Sequence, residues 1–243
     1  MLEIIAFNIA TCAKAQQAGA DRIELCADPA AGGTTPSAGF LQAARKVLSI
    51  PLFAMIRPRG GDFLYSDADF EIMKSDVVTC KSLGCDGIVT GILDAAGNID
   101  VTRVTQLVTL AYPMEVTFHR AFDRANTLLA ALDDVIATGC TCLLTSGQQK
   151  TAEDGAQQLA ALEVHNMSRI NIMAGSGVRA ANITDIANKT NLRFFHSSAQ
   201  MHGASAMQFL NPAMAETFTE LTVDVEEIKS MKGELAKFNL GQM

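Results

Sequence analysis

The chain has 243 residues, of which 49% are hydrophobic and 19% are charged, and this composition excludes a disordered chain. The formal net charge of −7 argues against nucleic acid or a membrane surface as the main partner, because both are bound by basic patches. No signal peptide and no membrane-spanning segment is evident. We therefore expect a cytoplasmic protein whose six cysteines are reduced.

Short apolar segments rich in β-branched residues recur roughly every 27 residues and alternate with helical patterns. The predicted strands are residues 2–5, 22–26, 52–56, 87–90, 115–118, 141–145, 170–174 and 192–196. A final helical stripe runs from Val225 to Phe238. Eight such units with no linker predict a single (β/α)8 TIM-type barrel domain over residues 1–243. A doubly wound open parallel sheet is the alternative.

Function in a parallel α/β barrel collects at the carboxyl ends of the strands. Three residues that end or nearly end predicted strands, Glu24, His119 and His196, are candidates for general acid and base catalysis. Glu24 lies between apolar neighbours on its strand, so we expect it to face the barrel mouth, where a charge needs a partner. If that partner is an arginine, Glu24 has a structural role and not a catalytic one.

Arginines and a glycine-rich loop at other strand ends indicate an anion site. Guanidinium groups bind oxyanions through two hydrogen bonds, and barrels often hold phosphate in the loops after strands seven and eight. The candidate anion-binding residues are Arg57, Arg59, Arg120, Gly175, Ser176, Gly177 and Ser197. A tight turn is the alternative for the glycine loop, and ion pairs with Asp62, Glu24 or Asp123 are the alternative for Arg57 and Arg59.

One of the six cysteines, Cys26, lies at the carboxyl end of a predicted strand. Thiolates are the ligands that copper(I) prefers, so Cys26 is the candidate metal ligand. The other cysteines are expected to be structural.

Six blocks of sequence, in this order, resemble the CutC copper-homeostasis family. They are GADRIELC (19–26), GGTTPS (32–37), MIRPRGGDF (55–63), TFHRAFD (117–123), LTSG (144–147) and FHSSA (195–199). The resemblance implies a cytosolic TIM-type barrel that self-associates as a homodimer or larger homo-oligomer and that handles copper through cysteine. Family members often carry Glu-x-Cys on the first strand, where this chain has Ile5, so one thiol of a two-strand pair is missing.

Two functions are consistent with these observations. The resemblance favours a copper-homeostasis protein that binds copper(I) through Cys26. The strand-end residues favour an enzyme of the isomerase or lyase type that acts on a small anionic or phosphorylated metabolite, because arginines and a glycine loop suit an oxyanion better than copper(I).

Overall fold

The computed structural model describes residues 1–215 and 218–240. Eight parallel strands close into a barrel in the order β1 to β8. The strands are Leu2–Ala6 (β1), Arg22–Leu25 (β2), Leu52–Met55 (β3), Gly87–Thr90 (β4), Glu115–Phe118 (β5), Cys142–Thr145 (β6), Asn171–Ala174 (β7) and Phe194–Ser197 (β8). The closing contact between β1 and β8 confirms the predicted barrel and excludes the open sheet. The predicted strands lie within two residues of these bounds.

A helix follows each of the first seven strands, which places the next strand parallel to the last. These helices are Ile9–Gln17 (α1), Ala38–Val47 (α2), Asp67–Ser82 (α3), Val101–Ala111 (α4), Leu128–Ala137 (α5), Ala156–Asn166 (α6) and Ile183–Thr190 (α7). The eighth helix, Val225–Leu240 (α8), contains the predicted C-terminal stripe.

Alternate side chains of each strand face opposite sides of the barrel wall, because strand side chains have a period of two. Leu2, Ile4 and Ile23 belong to the large apolar core shared with the helices. Glu3 and Glu24 alternate with these residues and therefore face the barrel interior. The alternation thus directs carboxyl groups, rather than apolar groups, into the interior at this part of the barrel.

The sequence analysis did not identify an antiparallel hairpin between β8 and α8. It consists of Gln200–Ala204 (β9) and Thr219–Val223 (β10), and its strands carry no clear apolar alternation. Within residues 1–215 and 218–240, no helix has the length and apolar character needed to cross a bilayer. The single-domain organisation over residues 1–243 stays a prediction.

Candidate active site

The register of β1 with both of its neighbours brings three polar side chains together inside the barrel. Glu3 lies opposite Arg22 on β2 and opposite His196 on β8. Arg22 Nε donates to Glu3 Oε2 at 2.5 Å, and His196 Nδ1 lies 2.7 Å from Glu3 Oε1. Burial opposes ionisation of Glu3, but Arg22 and His196 outweigh it and lower its pKa. Glu3 is therefore a carboxylate that orients the other two side chains.

Glu24 lies two residues after Arg22 on β2, so the two side chains face the same side of the barrel wall. Glu24 is 1% exposed. Its Oε2 lies 3.7 Å from Nε2 of His196, whereas its Oε1 has no hydrogen-bond partner among the residues described. Burial raises the pKa of Glu24 to about 7, opposed by the charge of His196 and helped by that of Glu3. Glu24 can therefore exchange a proton near neutral pH, which is the requirement for a general acid or base.

His196 is also buried, and burial alone would lower its pKa. The hydrogen bond to Glu3 and the charges of Glu24 and Glu3 outweigh burial, so the pKa of His196 is raised. Its surroundings favour the imidazolium form, held between two carboxyl groups. Glu3 itself was not among the sequence candidates, although it shares with Glu24 the pattern of an acidic residue between apolar strand residues.

His119 follows β5 and caps the 3₁₀ turn Arg120–Arg124. Its Nδ1 accepts a hydrogen bond from the Ala121 N–H at 3.2 Å, and its buried Nε2 has no partner. Burial, followed by the charge of Arg57, lowers the pKa of His119 to about 3. A Cβ on Gly91 would lie 2.5 Å from Nδ1 of His119. The imidazole ring therefore fits against the strand end because residue 91 has no side chain. The ring is neutral, and Nε2 carries its proton.

Two adjoining cavities open among the residues at the carboxyl ends of the strands. The inner cavity has a volume of about 100 Å³, and the outer cavity about 280 Å³. The inner cavity is lined by Ile5, Glu24, Gly32, Met55, Arg57, Phe63, His119, Arg120, Leu144 and His196. The outer cavity shares four of these residues, namely Ile5, Gly32, Arg120 and His196. All three acid–base candidates therefore border the same cavity.

A cavity of about 320 Å³ lies near the opposite end of the barrel, next to Ile170 and Asn171 at the start of β7. Barrels carry their chemistry at the carboxyl ends of the strands. The smaller inner cavity, which contains the acid–base groups, is therefore the candidate site.

The first two arginine candidates have different surroundings. Arg57 is buried and donates to the carbonyl oxygens of Ala31, Gly33 and Gly61 at 2.6–2.9 Å, so it holds the loops after β2 and β3 together. No ion pair to a carboxylate is found for Arg57 in the described part of the chain. Arg59 is partly exposed, is paired with Asp62 at 2.9 Å, and lines neither cavity.

The third candidate, Arg120, borders both cavities. Its Nε donates to Asp123 Oδ2 at 2.7 Å and its Nη2 to Ser146 Oγ at 3.0 Å. Asp123 also accepts from Thr145 and from the amides of Ser146 and Gln148. Much of the Arg120 charge is therefore balanced by a fixed carboxylate.

The loop after β7 forms one wall of the outer cavity through Ser176, Gly177 and Arg179. Ser176 and Gly177 both have positive φ, 80° and 73°. Among the described residues, the amides of Ser176, Gly177 and Val178 meet no hydrogen-bond acceptor. Gly175 lies behind them, where a Cβ would come within 2.5 Å of Leu144 Cδ1.

Two serines and one arginine complete the outer cavity. The Ser197 hydroxyl donates to Val178 O at 2.7 Å and so fixes the loop, while Ser198 also borders the cavity. Arg179 forms no ion pair among the residues described, which leaves its charge available. The sequence analysis missed Arg179, although it lies two residues after the glycine pair.

Cys26 is fully buried in an apolar cluster with Phe53, Met55 and Val89. Burial, and then the charges of Glu24 and Glu3, raises the pKa of its thiol well above the ordinary value. The other five cysteines are also buried and free. Ile5 borders the same cluster, and the structure brings no second thiol to Cys26 within the described ranges.

The one cluster of metal-ligating His, Cys, Asp and Glu side chains in residues 1–215 and 218–240 is Glu3, Glu24 and His196. Their ligand atoms lie within 4.8 Å of one another. Oxygen and imidazole donors suit harder divalent ions rather than copper(I). Glu3 already binds Arg22 and His196, so this cluster is an internally balanced network.

Comparison with known proteins identifies the family. The CutC family model matches residues 1–201. A CutC family protein of Chromobacterium violaceum is 52% identical over 209 residues, which are 86% of this chain and 85% of that protein. A relative from Photorhabdus laumondii is 44% identical over 242 residues, 97% of each chain. The solved structure of CutC from Streptococcus agalactiae, provisionally assigned to copper homeostasis, has 32% identity and a TM-score of 0.78, covering 82% of this chain and 98% of that one. This chain belongs to the CutC family.

Proposed function

We propose that this chain serves copper homeostasis in the cytoplasm and that it binds copper(I) at Cys26. The family membership and the name of the Streptococcus agalactiae relative support the role. Self-association as a homodimer or larger homo-oligomer is part of the same proposal.

The observation that carries the metal site is the proximity of two sulfur-containing side chains at the barrel mouth. A Cβ on Gly33 would lie 3.1 Å from Cys26 Sγ and 3.7 Å from Met55 Cε. Thiolate and thioether sulfurs are soft ligands that select copper(I). Met55 thus supplies a second soft side chain beside Cys26, where Ile5 supplies none.

The surroundings of Cys26 set the strength of this site. Because burial and two nearby carboxyl groups keep the thiol protonated, copper(I) must displace a proton to bind. We therefore expect weak binding whose affinity increases with pH.

Titration of copper(I) against a chromogenic competing chelator tests the proposal. Cys26→Ser should lose at least tenfold in affinity, whereas Cys142→Ser, a substitution of another buried cysteine, should not change it. Met55→Leu should weaken binding less than Cys26→Ser. Equal affinity in the native protein and Cys26→Ser would remove Cys26 as the ligand.

A second function, an enzyme acting on a small anionic metabolite, is supported by the outer cavity. Arg179 and the amides of Ser176, Gly177 and Val178 border the same space. Backbone amides at a glycine loop together with a guanidinium group form a typical oxyanion site. The geometry favours Arg179 over Arg57 and Arg59 as the source of charge.

Thermal unfolding with inorganic phosphate tests this anion site. Phosphate at tens of millimolar should raise the melting temperature of the native protein, since a ligand that binds the folded state stabilises it. Arg179→Gln should abolish the shift, while Arg59→Gln, which alters a charge outside the cavity, should retain it. Arg57→Ala should lower the melting temperature without phosphate, because three carbonyl groups lose their donor. A native protein that shows no shift has no such site.

A further inference from the structure

We propose that the inner cavity binds the hydroxy-carbonyl end of a small phosphorylated compound whose phosphate lies in the outer cavity. The inference rests on the anion site proposed above and names its substrate class. It follows from two residues that line the inner cavity, Glu24 and His119, each of which has one buried polar atom with no hydrogen-bond partner among the described residues.

His119 supplies a hydrogen-bond donor of fixed direction. Its Nδ1 faces the Ala121 N–H and can only accept there, so the proton of the neutral ring is on Nε2. That N–H is buried and has no acceptor within the part of the chain that the structure describes. A buried donor without an acceptor is costly, and a carbonyl oxygen of a ligand would satisfy it.

Glu24 supplies the complementary group. Its Oε2 faces His196, and its buried Oε1 has no hydrogen-bond partner in residues 1–215 and 218–240. A hydroxyl group can both donate and accept, so it would pair with the Glu24 carboxyl in either protonation state. A second anionic group is disfavoured here, because Glu3 and Glu24 already place carboxyl groups at this wall.

The size and walls of the inner cavity limit the buried part of the ligand. A volume of about 100 Å³ corresponds to roughly three water molecules, at about 30 Å³ each. Two carbons with one carbonyl and one hydroxyl oxygen fit this space. Ile5, Phe63 and Leu144 provide apolar walls, and four lining residues shared with the outer cavity place the two spaces side by side, as one ligand that occupies both would require.

Calorimetric titration with a matched pair of ligands tests the inference. Dihydroxyacetone phosphate has the required ketone and hydroxyl groups, and glycerol 3-phosphate differs only in having an alcohol in place of the ketone. We expect the native protein to bind the ketone at least tenfold more tightly than the alcohol, because the alcohol adds an O–H donor that is left without an acceptor when its oxygen accepts from His119 Nε2–H.

The variant His119→Asn sharpens the test. The Asn Oδ1 can accept from the Ala121 N–H as Nδ1 does, but the shorter side chain does not reach the position of Nε2. The variant should therefore reduce the preference for the ketone over the alcohol to less than twofold and leave the binding of inorganic phosphate unchanged. Equal affinity of the native protein for both ligands, or an unchanged preference in His119→Asn, overturns the inference while the anion site remains. Failure to bind any of the three phosphates overturns both.

Discussion

The two histidines of the inner cavity show how the pairing of the barrel strands determines the charge of a buried imidazole ring. Both are buried, yet the pKa of His196 is raised and that of His119 is lowered to about 3. Burial disfavours the charge of each ring, but His196 faces Glu3 and Glu24, whereas His119 faces the charge of Arg57. The pairing of β1 with β8 places Glu3 beside His196. No carboxylate contacts His119 among the residues described.

This contrast divides the cavity into two walls. The wall formed by β1, β2 and β8 is an ion-paired network in which most polar atoms have partners. The wall at the end of β5 presents a neutral donor among apolar side chains. Breaking an ion pair of the first wall should therefore cost stability at neutral pH, whereas replacing Glu24 or His119, whose pKa values are shifted by burial, should change the pH dependence of stability.

The largest effect is expected for Glu3→Gln. Arg22 would remain buried without its carboxylate partner, and breaking a buried ion pair costs about 3–5 kcal/mol. Chemical denaturation at pH 7 measures the loss. The double variant Glu3→Gln/Arg22→Met should recover much of the stability, because it removes the unpaired charge.

An exposed ion pair supplies the control for this variant. Asp185 and Lys189 pair at 2.6 Å on α7 with more than half of each side chain exposed. Asp185→Asn should cost at most about 0.5 kcal/mol, as is usual for surface pairs. A loss below 1 kcal/mol for Glu3→Gln would show that Arg22 finds another partner.

The second prediction concerns the loss of folding stability at acid pH. The unfolded chain protonates His119 near its ordinary pKa of 6.5, whereas the folded chain resists until about pH 3. This contribution to stability is therefore present above pH 6.5 and is lost as the pH falls towards 3, by up to about 5 kcal/mol. His119→Asn should unfold less steeply with acid than the native protein between pH 6.5 and pH 4. Identical slopes would mean that His119 is not held neutral.

The third prediction concerns the loss of folding stability as the pH rises through neutrality. The pKa of Glu24 is raised from 4.5 to about 7 on folding. Between pH 4.5 and about 7, Glu24 is protonated in the folded state and ionised in the unfolded chain. The stability that this proton provides is therefore lost as the pH rises through about 7, by up to about 3 kcal/mol. Glu24→Gln cannot ionise and should be more stable than the native protein at pH 8 but not at pH 4.5. Urea unfolding at both pH values measures this, and a constant difference would contradict it.

The sequence was sufficient to predict the barrel and the strand ends, because apolar periodicity and spacing are local signals. It identified Glu24, His119 and His196 through their position at or just after the carboxyl ends of strands. It could not identify Glu3, whose role depends on pairing between β1 and β8, which are the first and last strands of the barrel in chain order and neighbours only in the folded protein. The sequence also could not distinguish Arg57 from Arg59, since only the loop geometry separates a buried loop clamp from an exposed ion pair.

The smallest effect is expected where His119 meets β4. A Cβ on Gly91 would lie 2.5 Å from His119 Nδ1, so Gly91→Ala must displace the ring or the strand end. Overpacking of this kind costs about 1–3 kcal/mol. In a His119→Ala background the contacts with the ring are gone and the contact with Phe118 Cε1 at 3.1 Å remains, so the same substitution should cost clearly less than in the native protein. Denaturant unfolding of the four proteins in this double-mutant cycle gives the coupling between the two positions. An additive cycle would show that the ring does not depend on the glycine, and the neutral wall would then be less tightly defined than the ion-paired one.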